Sequence, residues 1–326
     1  MVSVIIHEVG HNFFPMIINS DERQWTWMDE GLNSFVQYLA QEEWEEGFPS
    51  RRGPAYKIVD YMKGDKNFIS PIMTNSESIH QFGNNAYGKP ATALNILRET
   101  VVGRELFDYA FKTYANRWKF KHPSPADFFR TIEDATAVDL DWFWRGWFFT
   151  TDHVDIGIDY VKYARLTSPE AGGKKMAARE DEEGEAPSIS DMRNREAIPE
   201  TLVERDSSLI DFYSTYDENE ITEKDRSEFE AFIEDLTEEE RAMLEDPRHF
   251  YEIGFTNHGG LVMPILVQFT FEDGSTEMQQ IPAEIWKMGD ESVTKVFVTD
   301  QKATKIVLDP YQQTADVDLS NNAWPA

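Results

Sequence analysis

The sequence predicts a multidomain chain: a mostly α-helical part over residues 1–150, a strand followed by an acidic insertion over 151–249, and a β-sandwich over 250–326. Three observations carry this division. Apolar residues recur at helical spacing up to Phe149. Composition then turns sharply acidic, with 26 acidic and 10 basic residues between Ser168 and Arg248. From Phe250 the apolar period becomes two, the mark of strands.

The first segment, Val2-Ser-Val-Ile-Ile-His-Glu-Val-Gly-His11, reads as a helix, and Pro15 ends it. Val2, Val4, Ile5, Ile6 and Val9 make it strongly apolar, so it is expected to be buried. Residues from Trp25 onward form a second helix, with Trp27, Leu32, Phe35, Val36 and Leu39 on its apolar side. Pro49-Ser-Arg-Arg-Gly-Pro54 is a turn-rich connection. A short helix follows around Tyr56–Met62, and residues 64–86 read as loop. Ala91–Val101 is a helix closed by Gly103, and Leu106–Trp118 is another. Ser124 caps the next, with Pro125 at its first position. The aromatic run Leu140–Phe149 closes the helical part.

Residues 153–166 alternate as a strand. Residues 168–190 have few large apolar side chains and read as disordered. Thr222 and Thr237 look like helix N-caps, the latter in a capping box with Glu240. The acidic run reads as a solvated face. Past Phe250, short strands cover Leu261–Phe271, Met278–Ile281, Val293–Val298 and Lys305–Leu308, with Glu272-Asp-Gly-Ser as a hairpin turn.

Chemistry is concentrated at the start. His7 and His11 are four apart, so on a helix both imidazoles lie on one face and can reach one metal ion. Glu8 points about 100° away from His7, toward a water on that metal rather than the metal itself. Glu30, nineteen residues past His11, would complete a His-His-Glu set for one zinc ion and leave a fourth position open. His80, His122, His153, His249 and His258 have no ligand spacing and read as ordinary loop or surface histidines.

HEVGH, eighteen residues, then Glu in Trp-Met-Asp-Glu-Gly resembles the aminopeptidase-N-like gluzincins, whose members include the leukotriene hydrolase type. The resemblance implies a mostly helical, thermolysin-like zinc peptidase catalytic part and an immunoglobulin-like β-domain after it. It implies peptide substrates, Glu8 as general base, and Tyr87 of Tyr87-Gly-Lys89 as the hydroxyl that stabilises the oxyanion. The family's G-x-M-E-N segment, which holds the substrate's α-amino group, has no match here. It would precede Met1, so the chain reads as lacking its N-terminal part, and metallopeptidase is supported more firmly than aminopeptidase. Endopeptidase action, epoxide hydrolysis and a non-catalytic zinc-fold scaffold stay open as alternatives.

A net charge of −29 argues against nucleic acid or an anionic membrane surface as partner. No apolar run reaches the roughly 20 residues of a membrane span. There is no cysteine, hence no disulfide and no thiolate ligand. The first residues lack a signal peptide. Compartment and oligomeric state stay open; a signal on a preceding segment would place the protein in the periplasm or outside the cell.

Overall fold

The computed structural model describes residues 1–165, 171–184, 186–212, 216–244 and 248–325. By contact, residues 1–163 and 250–326 form one compact unit and residues 164–249 a second. The sequence alone suggests breaks at 151 and 250. The difference arises because the strand after the helices pairs with the first strand beyond the acidic segment.

Seven α-helices carry the first unit's helical part: α1 (Val2–Gly10), α2 (Glu30–Trp44), α3 (Val59–Met62), α4 (Lys89–Ile96), α5 (Arg104–Trp118), α6 (Pro125–Thr136) and α7 (Asp141–Phe149). Ser124 and Asp127 form a reciprocal capping box at the start of α6, which satisfies N–H groups that the first turn leaves open. α4 begins before Ala91, and a wider helical turn over Gly83–Gly88 leads straight into it. Trp27, Phe128, Phe129, Trp144 and Phe148 meet edge to face or stacked and form the centre of the helical core. Such aromatic contacts add roughly 0.5–1.5 kcal/mol each beyond area burial.

α1 departs from expectation. None of its residues is buried, and Val4, Ile5 and Val9 are more than half exposed. The face it turns to α2 is polar: the Asn33 amide donates to the His7 carbonyl, and the Gln37 amide donates to the Ser3 carbonyl and hydroxyl. Hydrogen bonds rather than apolar packing therefore fix this helix, and Val4, Ile5 and Val9 point away.

The β part has two sheets. β1 (Ile156–Arg165), β2 (His249–Asn257) and β5 (Ser292–Thr299) form one in the order β1-β2-β5. β3 (Ile265–Phe271), β4 (Thr276–Ile281), β6 (Ala303–Leu308) and β7 (Ala323–Trp324) form the other in the order β4-β3-β6-β7. β3 and β4 are antiparallel, Thr270 facing Thr276 across the predicted turn. Tyr251 and Phe297 of one sheet meet Phe269 of the other, so rings fill the space between the sheets. This layer docks on the helical part through α7 and through the helical turn Leu97–Val101 that follows α4. The Trp147 indole points at Met263 Sδ, and the Gln280 amide donates to the Thr100 carbonyl.

Among the described residues of the second unit the α-helices are Gly173–Gly184, Ile189–Ala197, Leu202–Arg205, Glu223–Asp235 and Glu238–Leu244. The first contradicts the expected disorder over 168–190: Ala, Lys, Arg and Glu are strong helix formers even without an apolar face. Residues 166–170 and 185 lie outside the described ones. Capping boxes start four of these helices, at Ser188, Thr201, Thr222 and Thr237. Phe229 and Ile233 are only half-buried, and local caps and the Lys175–Asp225 ion pair at 2.7 Å add polar contacts. No helix among the described residues is long and apolar enough to cross a membrane.

Candidate active site

Glu30 reaches the α1 histidines because it is the first residue of α2, directly after the short turn Thr26–Met28. Trp27, Met28 and Leu32 are buried on the other side of this corner and fix its direction. Glu30 Oε2 lies 3.0 Å from His7 Nε2 and 3.5 Å from His11 Nε2. The three ligand-type atoms are within 4.8 Å of one another, and among the described residues no other such group occurs. Two donors bound tetrahedrally at zinc's usual bond lengths sit about 3.3 Å apart. The spacing and the donor chemistry, two imidazoles and a carboxylate, therefore fit zinc.

The far nitrogen of each imidazole is also held. His7 Nδ1 is 3.0 Å from Gln37 Oε1. His11 Nδ1 is 2.9 Å from the Phe14 carbonyl and 2.9 Å from Asp29 Oδ1. Such partners set the tautomer in which Nε2 is free to bind metal. Asp29 and Asn33, on either side of Glu30 in the chain, both support the site: one on the His11 ring, the other on the His7 backbone. Gln37 is the residue sequence reasoning missed. Its position seven after Glu30, two turns along the same helix face, was the available signal.

Tyr87 comes from the turn before α4, and its hydroxyl donates to Glu30 Oε1 at 2.5 Å. Close approach of this turn to α2 depends on Gly31. A Cβ there would lie 2.6 Å from Pro90 Cγ and 3.0 Å from the Ala86 carbonyl oxygen. Lys89, the other polar residue of Tyr87-Gly-Lys89, points elsewhere. It is fully buried, and its ammonium is 3.3 Å from the Thr150 carbonyl beyond α7. Glu8 is exposed and faces the same cavity as His7, His11, Glu30, Arg52 and Tyr87, an open space of about 810 Å³. All five residues singled out from sequence thus border one cavity.

Electrostatics follows from these contacts. Burial pushes the Glu30 carboxyl up, but hydrogen bonds from His7 and Tyr87 outweigh it and leave its pKa lowered. Burial, and then the hydrogen bond to Glu30, raise the Tyr87 phenol, so it stays protonated and acts as a donor. Burial, with Glu30 close by, raises the Asp29 carboxyl to about 7 against the pull of His11.

Residues 1–147 match the Peptidase family M1 domain. Over these residues the chain is similar to peptidase family M1. The M1 segment is 29% identical to probable aminopeptidase 1 of Sulfurisphaera tokodaii over 155 residues, 44% of this chain and 19% of that protein. It is 26% identical to glutamyl aminopeptidase of Bos taurus over 168 residues, 50% of this chain and 18% of that one. The chain thus spans about a fifth of the length of these relatives. Among solved structures, Legionella pneumophila aminopeptidase A in complex with aspartic acid superposes with a TM-score of 0.53 at 12% identity, covering 97% of this chain and 26% of that one. At that identity the likeness is one of fold, and it extends beyond the M1 segment into the β layer.

Proposed function

We propose that the M1 segment is the zinc-binding core of a metallopeptidase of the aminopeptidase type, acting on peptides. The observation that carries this is the convergence of His7, His11 and Glu30, each imidazole fixed from behind, beside Glu8 and Tyr87 in one open cavity. His7, His11 and Glu30 would hold one zinc ion, which when bound supplies Lewis-acid polarisation and activates water near neutral pH.

The remaining chemistry belongs to this chain's own side chains. Glu8, exposed to the cavity, accepts the proton of the attacking water and returns it to the leaving amine. The Tyr87 hydroxyl, kept protonated, donates a hydrogen bond to the oxyanion that develops on the scissile carbonyl. Gln37, Asp29 and the Phe14 carbonyl keep the imidazoles in the binding tautomer. The likeness to probable aminopeptidase 1 and to glutamyl aminopeptidase supports aminopeptidase action in particular. The segment over 164–249 is read as an acidic insertion between β1 and β2, and the two sheets as the counterpart of an immunoglobulin-like β-sandwich.

The test is hydrolysis of aminoacyl-amide reporters and of internally quenched, N-blocked peptides by the zinc-loaded protein and its Glu8→Gln variant. Glu8→Gln should bind one zinc and lose at least about 10²-fold in kcat. Full activity with zinc retained would overturn the mechanism. Cleavage of blocked peptides alone would favour an endopeptidase.

A further inference from the structure

The turn-rich stretch Pro49–Pro54 has no part in the mechanism above, yet it places two arginines on the active-site cavity. The loop is held at both ends. The buried Ser50 hydroxyl donates to Gln41 Oε1 at 2.5 Å. Gly53, at φ +115°, lies so close to the Tyr38 ring that a Cβ would come within 2.4 Å of it. Between these anchors the Arg52 guanidinium lies over the Tyr87 ring, 4.4 Å from its centroid. Its one hydrogen bond is a long 3.4 Å contact to Ser34 Oγ.

Neither Arg51 nor Arg52 forms an ion pair among the described residues. That is unusual in a chain with 60 acidic and 31 basic residues. Arg98, by contrast, is paired with both Asp108 and Glu99. A half-buried guanidinium that bonds no carboxylate directly is costly, and the nearby Glu30 charge and stacking on a tyrosine recover only part of that cost. Burial accordingly pulls the Arg52 pKa down from its usual value. The planar fork of an arginine matches a carboxylate through two parallel hydrogen bonds, which a neutral amide does not reproduce. Tyr87 ties this cation to the centre, stacked under Arg52 and bonded to Glu30.

We propose that Arg52, assisted by Arg51, forms a carboxylate-binding subsite of the active-site cavity, so that its substrates are peptides bearing a carboxylate close to the cleaved bond. The subsite rests on the peptidase reading for the word substrate, but its ligand chemistry is independent of turnover. The carboxylate has two sources: an acidic side chain on the substrate, or the free C-terminus of a short peptide.

The experiment is calorimetric titration of the zinc-loaded Glu8→Gln protein with three dipeptides: Gln-Ala-amide, Glu-Ala-amide and Gln-Ala with a free C-terminus. One carboxylate-bearing ligand should bind about tenfold more tightly than the all-amide peptide, the scale of a charge-assisted hydrogen bond. Which one does so identifies the source. Arg52→Gln should abolish the preference and leave Gln-Ala-amide binding unchanged, and Arg52→Lys should keep part of it. Equal affinities for all three ligands, no measurable binding, or an equal weakening of all three by Arg52→Gln would each overturn the subsite. Hydrolysis by the unmutated protein without a carboxylate preference would sink the subsite and spare the peptidase. A preference in binding with no hydrolysis of any peptide would do the reverse.

Discussion

Gln37 gives the sharpest test of how the metal site is built. Its Oε1 accepts from His7 Nδ1 at 3.0 Å, and its Nε2 donates to the Ser3 carbonyl at 2.9 Å and the Ser3 hydroxyl at 3.0 Å. Replacing it with leucine keeps the bulk and removes all three bonds. His7 Nδ1–H is then left half-buried without an acceptor, at a cost of about 1–3 kcal/mol. The neutral imidazole is also free to move its proton to Nε2, the nitrogen that must face the metal. Together these effects should weaken zinc binding about 10–100-fold. The assay is competition for zinc against a chromogenic chelator near neutral pH, paired with urea unfolding of the metal-free protein to separate lost affinity from lost stability. Gln41→Leu is the control: Gln41 also bonds Ser3, through its hydroxyl at 2.8 Å, but touches neither imidazole. It should shift zinc affinity by no more than about threefold. If Gln37→Leu binds zinc as tightly as the parent, or Gln41→Leu loses as much, then His7 is not oriented in this way.

Other perturbations separate the parts of the site. Tyr87→Phe removes a donor without changing shape; kcat should fall about 10²–10³-fold with zinc content unchanged, measured by steady-state kinetics and metal analysis. Gly31→Ala inserts a methyl 2.6 Å from Pro90 Cγ. The overpacking should destabilise the fold by about 1–3 kcal/mol in urea titration and lower kcat by moving the Tyr87 turn. Lys89 gives a pH effect. Burial brings its folded pKa down to about 7 from 10.5, so between those values the unfolded chain binds more protons and stability should rise with pH. The rise is up to about 5 kcal/mol over the full window. Urea midpoints from pH 7 to 10 should show it, and Lys89→Met should flatten it; a parent that loses stability over that range would contradict the buried, partly neutral lysine.

How much was legible beforehand depended on whether the signal was local. His7, Glu8 and His11 are set by one helical turn, and the Ser124, Thr222 and Thr237 caps by three-residue spacings, so a reader of sequence needs no tertiary information for them. Glu30 and Tyr87 are long-range partners: the need for a third ligand points to the first and a family resemblance to the second, and periodicity to neither. α1 misled because apolar content is not burial: the side that meets α2 carries Ser3, His7 and the backbone that Asn33 grips. Helix Gly173–Gly184 misled because low hydrophobicity excludes a core, not a helix.

The same contrast between local pattern and tertiary surroundings separates Lys89 from Arg52. Both are cations in glycine-containing segments near Tyr87. One is buried against a carbonyl beyond α7, where neutralisation relieves it, and pH is its natural probe. The other rests on an aromatic face at the edge of an open cavity, where a guanidinium keeps its charge at every accessible pH. In the proposed subsite its partner is therefore an anion, because loss of a proton is not open to it. That contrast is why the Lys89 test varies pH, whereas the Arg52 test holds pH fixed and varies the charge of the ligand.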